Sequence, residues 1–98
     1  MAITDNQDRY TADPCGHGPL HLHWVISGVN AGTPVVIDLT VPGLPAKQTL
    51  YTAADGSINE DLPIGGNGIR TTHIESIGGQ PAPAANDDNS SSVTGCPP

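Results

Sequence analysis

Residues 47–58, KQTLYTAADGSI, decide the fold class. They consist of an alternating apolar and polar run, the pair Asp55-Gly56, and the start of a second extended run that continues to Leu62. Asp-Gly between two such runs predicts a β-hairpin, because a type I′ turn needs positive φ at both central residues and glycine tolerates that conformation. We therefore expect a hairpin here, with Leu50 and Ile58 pointing inward.

Further strands are predicted on the N-terminal side of this stretch. In residues 20–27, LHLHWVIS, apolar and polar side chains alternate with the period of two that is typical of a half-buried strand. Residues 34–41, PVVIDLTV, alternate in the same way, and the prolines and glycine of residues 42–45 end that strand because proline cannot donate to a ladder. The side chains predicted to point inward are Leu20, Leu22, Trp24, Ile26, Val35, Ile37, Leu39 and Val41.

A last strand is predicted within residues 69–77, IRTTHIESI, where the pattern is irregular. Ile69 and Ile74 lie an odd number of residues apart, so one face of a strand holds both only if a β-bulge intervenes. No segment of the sequence shows a 3.6-residue apolar period. We therefore expect an all-β chain that forms a small β-sandwich of about six or seven strands.

The composition divides the chain into three parts. Residues 1–19 are polar and broken by Asp13-Pro14 and by glycine, which predicts an N-terminal arm with a short strand around Tyr10. Residues 20–77 contain the predicted sandwich core. Residues 78–98 are rich in Pro, Ala, Ser and Asn, so this segment cannot bury enough apolar surface to fold alone. It is expected to be an extended C-terminal arm.

Charge and composition disfavour several kinds of partner. Three of the 98 residues are Lys or Arg and ten are Asp or Glu, which gives a formal net charge of −7. Binding to a nucleic-acid backbone requires clustered cations, whereas Arg9, Lys47 and Arg70 are scattered singly. The same charge disfavours an anionic membrane surface, and no apolar run is long enough to span a bilayer. The first ten residues lack the basic and apolar regions of a signal peptide, so we expect none there.

Cys15 and Cys96 are the only cysteines, and both lie outside the predicted strands. A disulfide between them would close a loop of about 80 residues, worth roughly 4 to 5 kcal/mol in the chain-entropy model. Neither cysteine fits a metal quartet or a catalytic pair, so a bond that joins the two arms is their simplest joint role. Two unrelated thiols are the alternative, which a reducing cytosol would favour.

Four histidines and a cysteine are the densest group of potential metal ligands. His21 and His23 stand two residues apart on one predicted strand and so share a face, where two imidazoles can bind zinc. Cys15 or His73 can complete such a shell, and His17 lies close in sequence. No companion ligand motif supports a metal, so we expect the polar face of a strand, with no metal and no cofactor.

No pattern in the sequence predicts catalysis. Glu60 and Asp61 are adjacent on a strand and so point to opposite faces, whereas Asp87 and Asp88 lie in a tail without a predicted pocket. The glycine-rich residues 65–68 lack the lysine and the strand-to-helix context of a phosphate loop. We therefore expect that the protein is not an enzyme.

The middle of the chain is similar to bacterial and phage immunoglobulin-like domains. The resemblance rests on GTPVVIDLTVPG at residues 32–43, on TLYTAADGSINEDLPI at residues 49–64 and on a final strand bounded by glycine. It spans about residues 20–77 and implies an immunoglobulin-like sandwich. The chain departs from antibody domains because both cysteines lie outside the strand core, so no disulfide is expected beside Trp24.

With its acidic charge and polar arms, the chain resembles the decoration and accessory proteins of tailed-phage virions. That resemblance implies a structural protein, made in the host cytoplasm and carried on the virion surface, whose arms clasp neighbouring subunits. Its partners would be the major capsid protein or another virion protein, with homo-oligomers on the lattice, and neither nucleic acid nor a membrane. One alternative is an extracellular immunoglobulin-like module of a secreted or cell-wall protein that binds glycan or protein. Another is a small zinc protein that uses His21 and His23.

Overall fold

The computed structural model describes residues 1–10, 20–40, 45–62 and 68–96, which form eight strands and no helix. The strands are β1 (Ala2–Tyr10), β2 (Leu20–Ser27), β3 (Pro34–Thr40), β4 (Lys47–Tyr51), β5 (Ser57–Leu62), β6 (Gly68–Ile77), β7 (Gln80–Pro81) and β8 (Asp88–Val93). The prediction of an all-β chain is therefore confirmed. The described residues accordingly include no helix able to cross a membrane.

The strands form two antiparallel sheets, consistent with a small β-sandwich. One sheet has three strands in the order β1-β2-β5. The other has five strands, in which β4 pairs with β3 and β3 pairs with β6. The remaining edge of β6 pairs with β8 along residues 68–73 and with β7 at residues 76–77. Among the described strands, the edge strands are thus β1 and β5 in the first sheet, and β4 on one side with β7 and β8 on the other in the second.

The hydrophobic core lies between the sheets and is built by the predicted alternation of side chains. All the inward side chains predicted for β2 and β3 are buried, except that Val41 lies outside the described residues. Leu50 and Ile58 are buried as predicted, and Trp24 is fully enclosed. Full burial of one large apolar side chain contributes about 1.5 to 3 kcal/mol. The core side chains are Ile3, Leu20, Leu22, Trp24, Ile26, Val35, Ile37, Leu39, Leu50, Ile58, Leu62, Ile74 and Ile77.

The turn at Asp55-Gly56 reverses the chain as predicted, but the predicted hairpin is wrong. β4 pairs with β3 and β5 pairs with β2, so the turn carries the chain from one sheet to the other. Gly56 has a φ of 81° and donates its N–H to the Ala53 carbonyl at 3.0 Å, whereas Asp55 does not have positive φ. A type I′ turn would require positive φ at both residues. Packing of each strand on its own sheet therefore overrides the local hairpin signal.

Gly56 allows this turn to press against β2. The N–H of Ile26 donates to the Gly56 carbonyl at 2.9 Å, and a Cβ on Gly56 would lie 2.1 Å from the Ile26 carbonyl oxygen. Only glycine permits such a close approach of two backbones. The Asp55 carboxylate accepts hydrogen bonds from the N–H and the hydroxyl of Ser57, at 3.0 and 2.6 Å. The turn is thus fixed both to its own chain and to β2.

The irregular pattern of β6 is accommodated in two ways. Ile69 points to solvent and is 65% exposed, whereas Ile74 is buried, so the two do not share the inner face. The pairing with β3 then shifts register between Val36 and Ile37. Because of this bulge, the side chain of Ile77 points inward although it lies an odd number of residues after Ile74, and it is also buried in the core.

Both predicted arms contribute strands: the short strand predicted around Tyr10 is the end of the nine-residue β1, and the segment predicted to be an extended C-terminal arm contains β7 and β8. β1 pairs with β2 along its length, and β8 pairs with most of β6. Their polar sequences concealed this, because an edge strand is held by backbone hydrogen bonds and needs few apolar side chains. β1 contributes Ile3 to the core. The rest of the predicted N-terminal arm, residues 11–19, lies outside the described residues, as do residues 97–98.

Candidate functional site

Three asparagines join the edge strands β1 and β8, and we name this edge of the sandwich the closed side. Asn6 Nδ2 donates to the Asn86 carbonyl at 2.6 Å, and Asn86 Nδ2 donates to the Ile3 carbonyl at 3.0 Å. Asn89 Nδ2 donates to the Asn6 carbonyl at 3.2 Å. Asn86 has a φ of 65°, a left-handed conformation that asparagine adopts more readily than most residues. These bonds hold the C-terminal segment against the N-terminal strand.

A carboxylate also connects the two sheets on the closed side. The Thr72 hydroxyl of β6 donates to Asp8 Oδ2 of β1 at 2.6 Å. Burial raises the pKa of Asp8, and the hydrogen bond from Thr72 opposes part of this effect. The Trp24 side chain makes a smaller contribution in the same direction as Thr72. On balance, the folded protein disfavours the charged form of Asp8.

The opposite edge strands, β4 and β5, form what we name the open side. Among the described residues, they are joined by the turn at residues 53–57, in which the Ala53 N–H donates to the Ser57 carbonyl at 2.9 Å. The side chain of Tyr51, at the end of β4, is 65% exposed. Within the part of the chain that the structure describes, β4 and β5 therefore each leave one backbone edge unpaired.

Lys47 of β4 forms ion pairs with two carboxylates on the outer face of its own sheet. Lys47 Nζ lies 2.6 Å from Glu75 Oε2 and 3.2 Å from Asp38 Oδ1. The hydrogen bond to Glu75, and then the one to Asp38, raise the pKa of Lys47. The charge of Lys47 is thus matched within the sheet, and does not stand alone at the edge.

The outer face of the three-stranded sheet carries the two histidines that the sequence analysis singled out. His21 and His23 are half-buried and lie side by side on β2, as their spacing predicts. His21 Nδ1 lies 2.6 Å from Asp61 Oδ1, and His23 Nδ1 lies 2.6 Å from Asn59 Oδ1. His23 Nε2 lies 3.6 Å from Asp5 Oδ2. Each imidazole therefore has cross-strand partners of its own.

The structure does not bring the proposed zinc ligands together. His73 lies on β6, between the buried residues Thr72 and Ile74, and so points out from the other sheet. Cys15 and His17 lie outside the described residues. Within the described residues, His21 and His23 have no third ligand with which they form a compact metal shell.

A different group of potential ligands surrounds His73. Its Nδ1 lies 2.5 Å from Asp88 Oδ1 and 3.8 Å from Asp87 Oδ2. No other trio of His, Cys, Asp or Glu side chains in the described residues has its ligand atoms all within 4.8 Å of one another. Sequence reasoning missed this cluster because it treated residues 78–98 as an arm. The cluster could have been predicted only from the pairing of residues 88–93 with β6, which places Asp88 opposite His73.

Cys96 is buried, with 8% of its surface exposed, and its sulfur is disulfide-bonded. Cys15 lies outside the described residues, so its pairing with Cys96 stays a prediction. Cys96 follows the last residue of β8 by three positions. A covalent bond there restrains the tail just beyond its last backbone pairing.

Comparison of the chain with protein-family models, curated proteins and solved structures found no match. No pocket opens among the residues that the structure describes. What the protein does must therefore be inferred from the closed side, the open side and the cluster around His73.

Proposed function

We propose that this protein is a non-enzymatic structural subunit of a tailed-phage virion, which decorates the particle by binding its shell protein. The observation that carries the proposal is that both ends of the chain are fixed into the sandwich. β1 and β8 are strands, they are joined by the hydrogen bonds of three asparagines, and the C-terminal segment carries a disulfide at Cys96. Such a small, stapled domain keeps a rigid surface outside a cell, where a subunit of a particle must persist.

The strand order supports an immunoglobulin-like interpretation. In immunoglobulin-like sandwiches, strands A, B and E share one sheet and strands C, F and G share the other, with C′ beside C in variable-type domains. Here β1, β2 and β5 share one sheet, while β3, β6 and β8 share the other with β4 beside β3. Because one fold serves many functions, this order supports a binding module without specifying its partner.

We assign the open side as the surface that binds the shell protein. The described parts of the two arms are used in pairing within the chain, so we no longer expect them to clasp neighbours. Among the described residues, one backbone edge of β4 has no partner strand, Tyr51 is exposed, and the charge of Lys47 is already matched by Glu75 and Asp38. An extended segment of a partner can add to such an edge through main-chain hydrogen bonds.

Charge adds a requirement for the partner. The chain has a formal net charge of −7, and the edge strand β5 has exposed Glu60 and Asp61, of which Asp61 also contacts His21 on the outer face of the sheet. Complementary charge accelerates association and selects among partners. We therefore expect the segment of the shell protein that binds here to carry lysine or arginine.

Purified particles test the proposal. Quantitative mass spectrometry should find the protein in a fixed ratio to the major shell protein. Particles that lack it should bind the added protein, and Tyr51→Lys together with Thr49→Lys should weaken that binding at least about tenfold, because both substitutions place a cation on the exposed edge of β4 that would repel a basic partner segment. Ser92→Lys, an exposed position on β8, is the matched control and should bind like the parent. A protein that stays free in the lysate of infected cells and is absent from particles would contradict the proposal.

The disulfide at Cys96 also favours a second candidate, an extracellular immunoglobulin-like module that binds glycan or protein. Disulfides persist in oxidising surroundings, and both candidates function there. Binding to an immobilised glycan or to a cell-wall preparation, combined with absence from particles, would favour this second function over the first.

A further inference from the structure

We propose that His73, Asp87 and Asp88 bind a divalent transition-metal ion, with zinc as the best fit, and that the ion fastens the C-terminal segment to β6. One imidazole nitrogen and two carboxylate oxygens are typical zinc donors, and three protein ligands leave one position for water. Calcium and magnesium prefer oxygen ligands in larger shells. This inference does not depend on the function proposed above.

The distances fit an ion after small rotations of the side chains. Two ligands bound to zinc at their usual bond lengths in a tetrahedral shell are about 3.4 Å apart. The separations from His73 Nδ1 are 2.5 Å to Asp88 Oδ1 and 3.8 Å to Asp87 Oδ2, one below and one above that value. The Asp88 side chain is 75% exposed and can move outward by the required amount. The ion would then replace the hydrogen bond between His73 and Asp88.

Two consecutive carboxylates reach one imidazole because the chain bends just before β8. Adjacent residues within a strand point to opposite faces, which would separate Asp87 from Asp88. Asp87, however, precedes the first residue of β8 and follows Asn86, whose φ of 65° turns the backbone. The Ile74 N–H donates to the Asp87 carbonyl at 2.8 Å, and the Asp87 side chain is only 15% exposed. The least mobile ligand is therefore already held beside His73.

The charges also fit. Two carboxylates and a neutral imidazole balance the two positive charges of the ion. Asp38 on β3 lies opposite His73 in the sheet and adds negative charge nearby, although it also pairs with Lys47 at 3.2 Å.

The opposite sheet supplies a matched control. His21 Nδ1 lies 2.6 Å from Asp61 Oδ1, almost the same geometry as His73 with Asp88. No second carboxylate completes a three-ligand set there within the described residues. A pair of one histidine and one aspartate is therefore present on both sheets, and the third ligand, Asp87, is present on one.

Calorimetric titration of the full-length, disulfide-intact protein with zinc chloride near neutral pH tests the inference. We expect one ion per chain and a higher melting temperature with zinc, because the ion binds the folded state. His73→Asn and Asp87→Asn should each weaken zinc binding at least about tenfold, whereas His21→Asn should bind like the parent. Asp87→Asn keeps the backbone bond from Ile74, so it remains informative if His73→Asn fails to fold.

Three results would overturn the inference. The first is the absence of zinc binding to the parent protein. The second is binding that survives both His73→Asn and Asp87→Asn, or that His21→Asn weakens equally. The third is tighter binding of calcium than of zinc, which would show that the imidazole is not a ligand.

Discussion

The closed side and the open side join the same two sheets by different means. On the closed side, asparagine side chains link residues that are 80 or more positions apart, as from Asn6 to Asn86. On the open side, one turn at residues 53–57 connects neighbouring strands of the sequence. The turn requires the close approach of Gly56 to the Ile26 carbonyl. The closed side is instead stabilised by several hydrogen bonds, each of modest strength. Loss of Gly56 on the open side should therefore cost more than loss of any one asparagine on the closed side.

The largest effect is expected from Gly56→Ala. The new Cβ would lie 2.1 Å from the Ile26 carbonyl oxygen, and the φ of 81° is itself unfavourable for alanine. The strain of the left-handed conformation and the overpacking together should lower the free energy of unfolding by about 3 to 5 kcal/mol. Chemical denaturation monitored by Trp24 fluorescence measures this.

Gly32→Ala separates the two causes. Gly32 has a φ of 76°, close to that of Gly56, but a Cβ there would meet no atom within 4 Å. It should therefore cost only the conformational strain, about 1 to 2 kcal/mol. Equal losses in the two variants would show that the approach to Ile26 is not what makes Gly56 necessary.

The next effect concerns the covalent bond beyond the closed side. Cys96→Ser should lower the free energy of unfolding by about 2 to 4 kcal/mol, the usual range for a disulfide. If Cys15 is the partner, Cys15→Ser should cost the same amount, and the double substitution should cost no more than either one. Additive losses, or two free thiols by mass spectrometry in oxidised material, would contradict the predicted pairing.

A smaller loss is expected within the closed side itself. Asn89→Ala removes the hydrogen bond to the Asn6 carbonyl and should cost about 1 kcal/mol. It should also speed hydrogen exchange in β8, since that bond anchors β8 to β1. Ser90→Ala, an exposed neighbour, serves as the control and should stay within about 0.5 kcal/mol of the parent. If both variants behave alike, the asparagine does not anchor the tail.

The sequence predicted the parts of this molecule that depend on local periodicity. The alternation in β2 and β3 identified the buried side chains from Leu20 to Leu39, because a strand needs only its own pattern to define an inner face. The position of the turn at Asp55-Gly56 was also local. The sheet that each flanking strand joins was not, because it depends on packing between distant strands.

The candidate site was less predictable for the same reason. His21 and His23 share a face because they lie on one strand, and spacing predicts that directly. The cluster of His73, Asp87 and Asp88 requires the polar tail to pair with β6, and no apolar pattern announces that pairing. Polar edge strands are held by backbone and asparagine bonds, which leave little trace in hydropathy.

The smallest effect is expected at Asp8 on the closed side, and it depends on pH. Burial raises the pKa of Asp8 in the folded protein, so the folded state binds this proton more tightly than the unfolded state does. The stabilisation from Asp8 is fully present below the unfolded pKa and is lost as pH rises through the folded pKa.

The pH dependence that Asp55 contributes on the open side has the opposite sign. The hydrogen bonds from Ser57 lower the pKa of Asp55, so its stabilisation is present above the unfolded pKa and is lost as pH falls through the folded pKa.

Asp8→Asn removes the first titration and keeps an oxygen that can accept the hydrogen bond from Thr72. Between about pH 3 and about pH 7, we expect its free energy of unfolding, relative to the parent, to shift in favour of the variant. The shift should be below about 1 kcal/mol, because solvent screens a partly exposed carboxylate. Asp55→Asn should shift against the variant over the same range. Urea denaturation at both pH values measures the shift in the free energy of unfolding for each variant. Shifts of the same sign would contradict the opposite directions of the pKa of Asp8 and of Asp55.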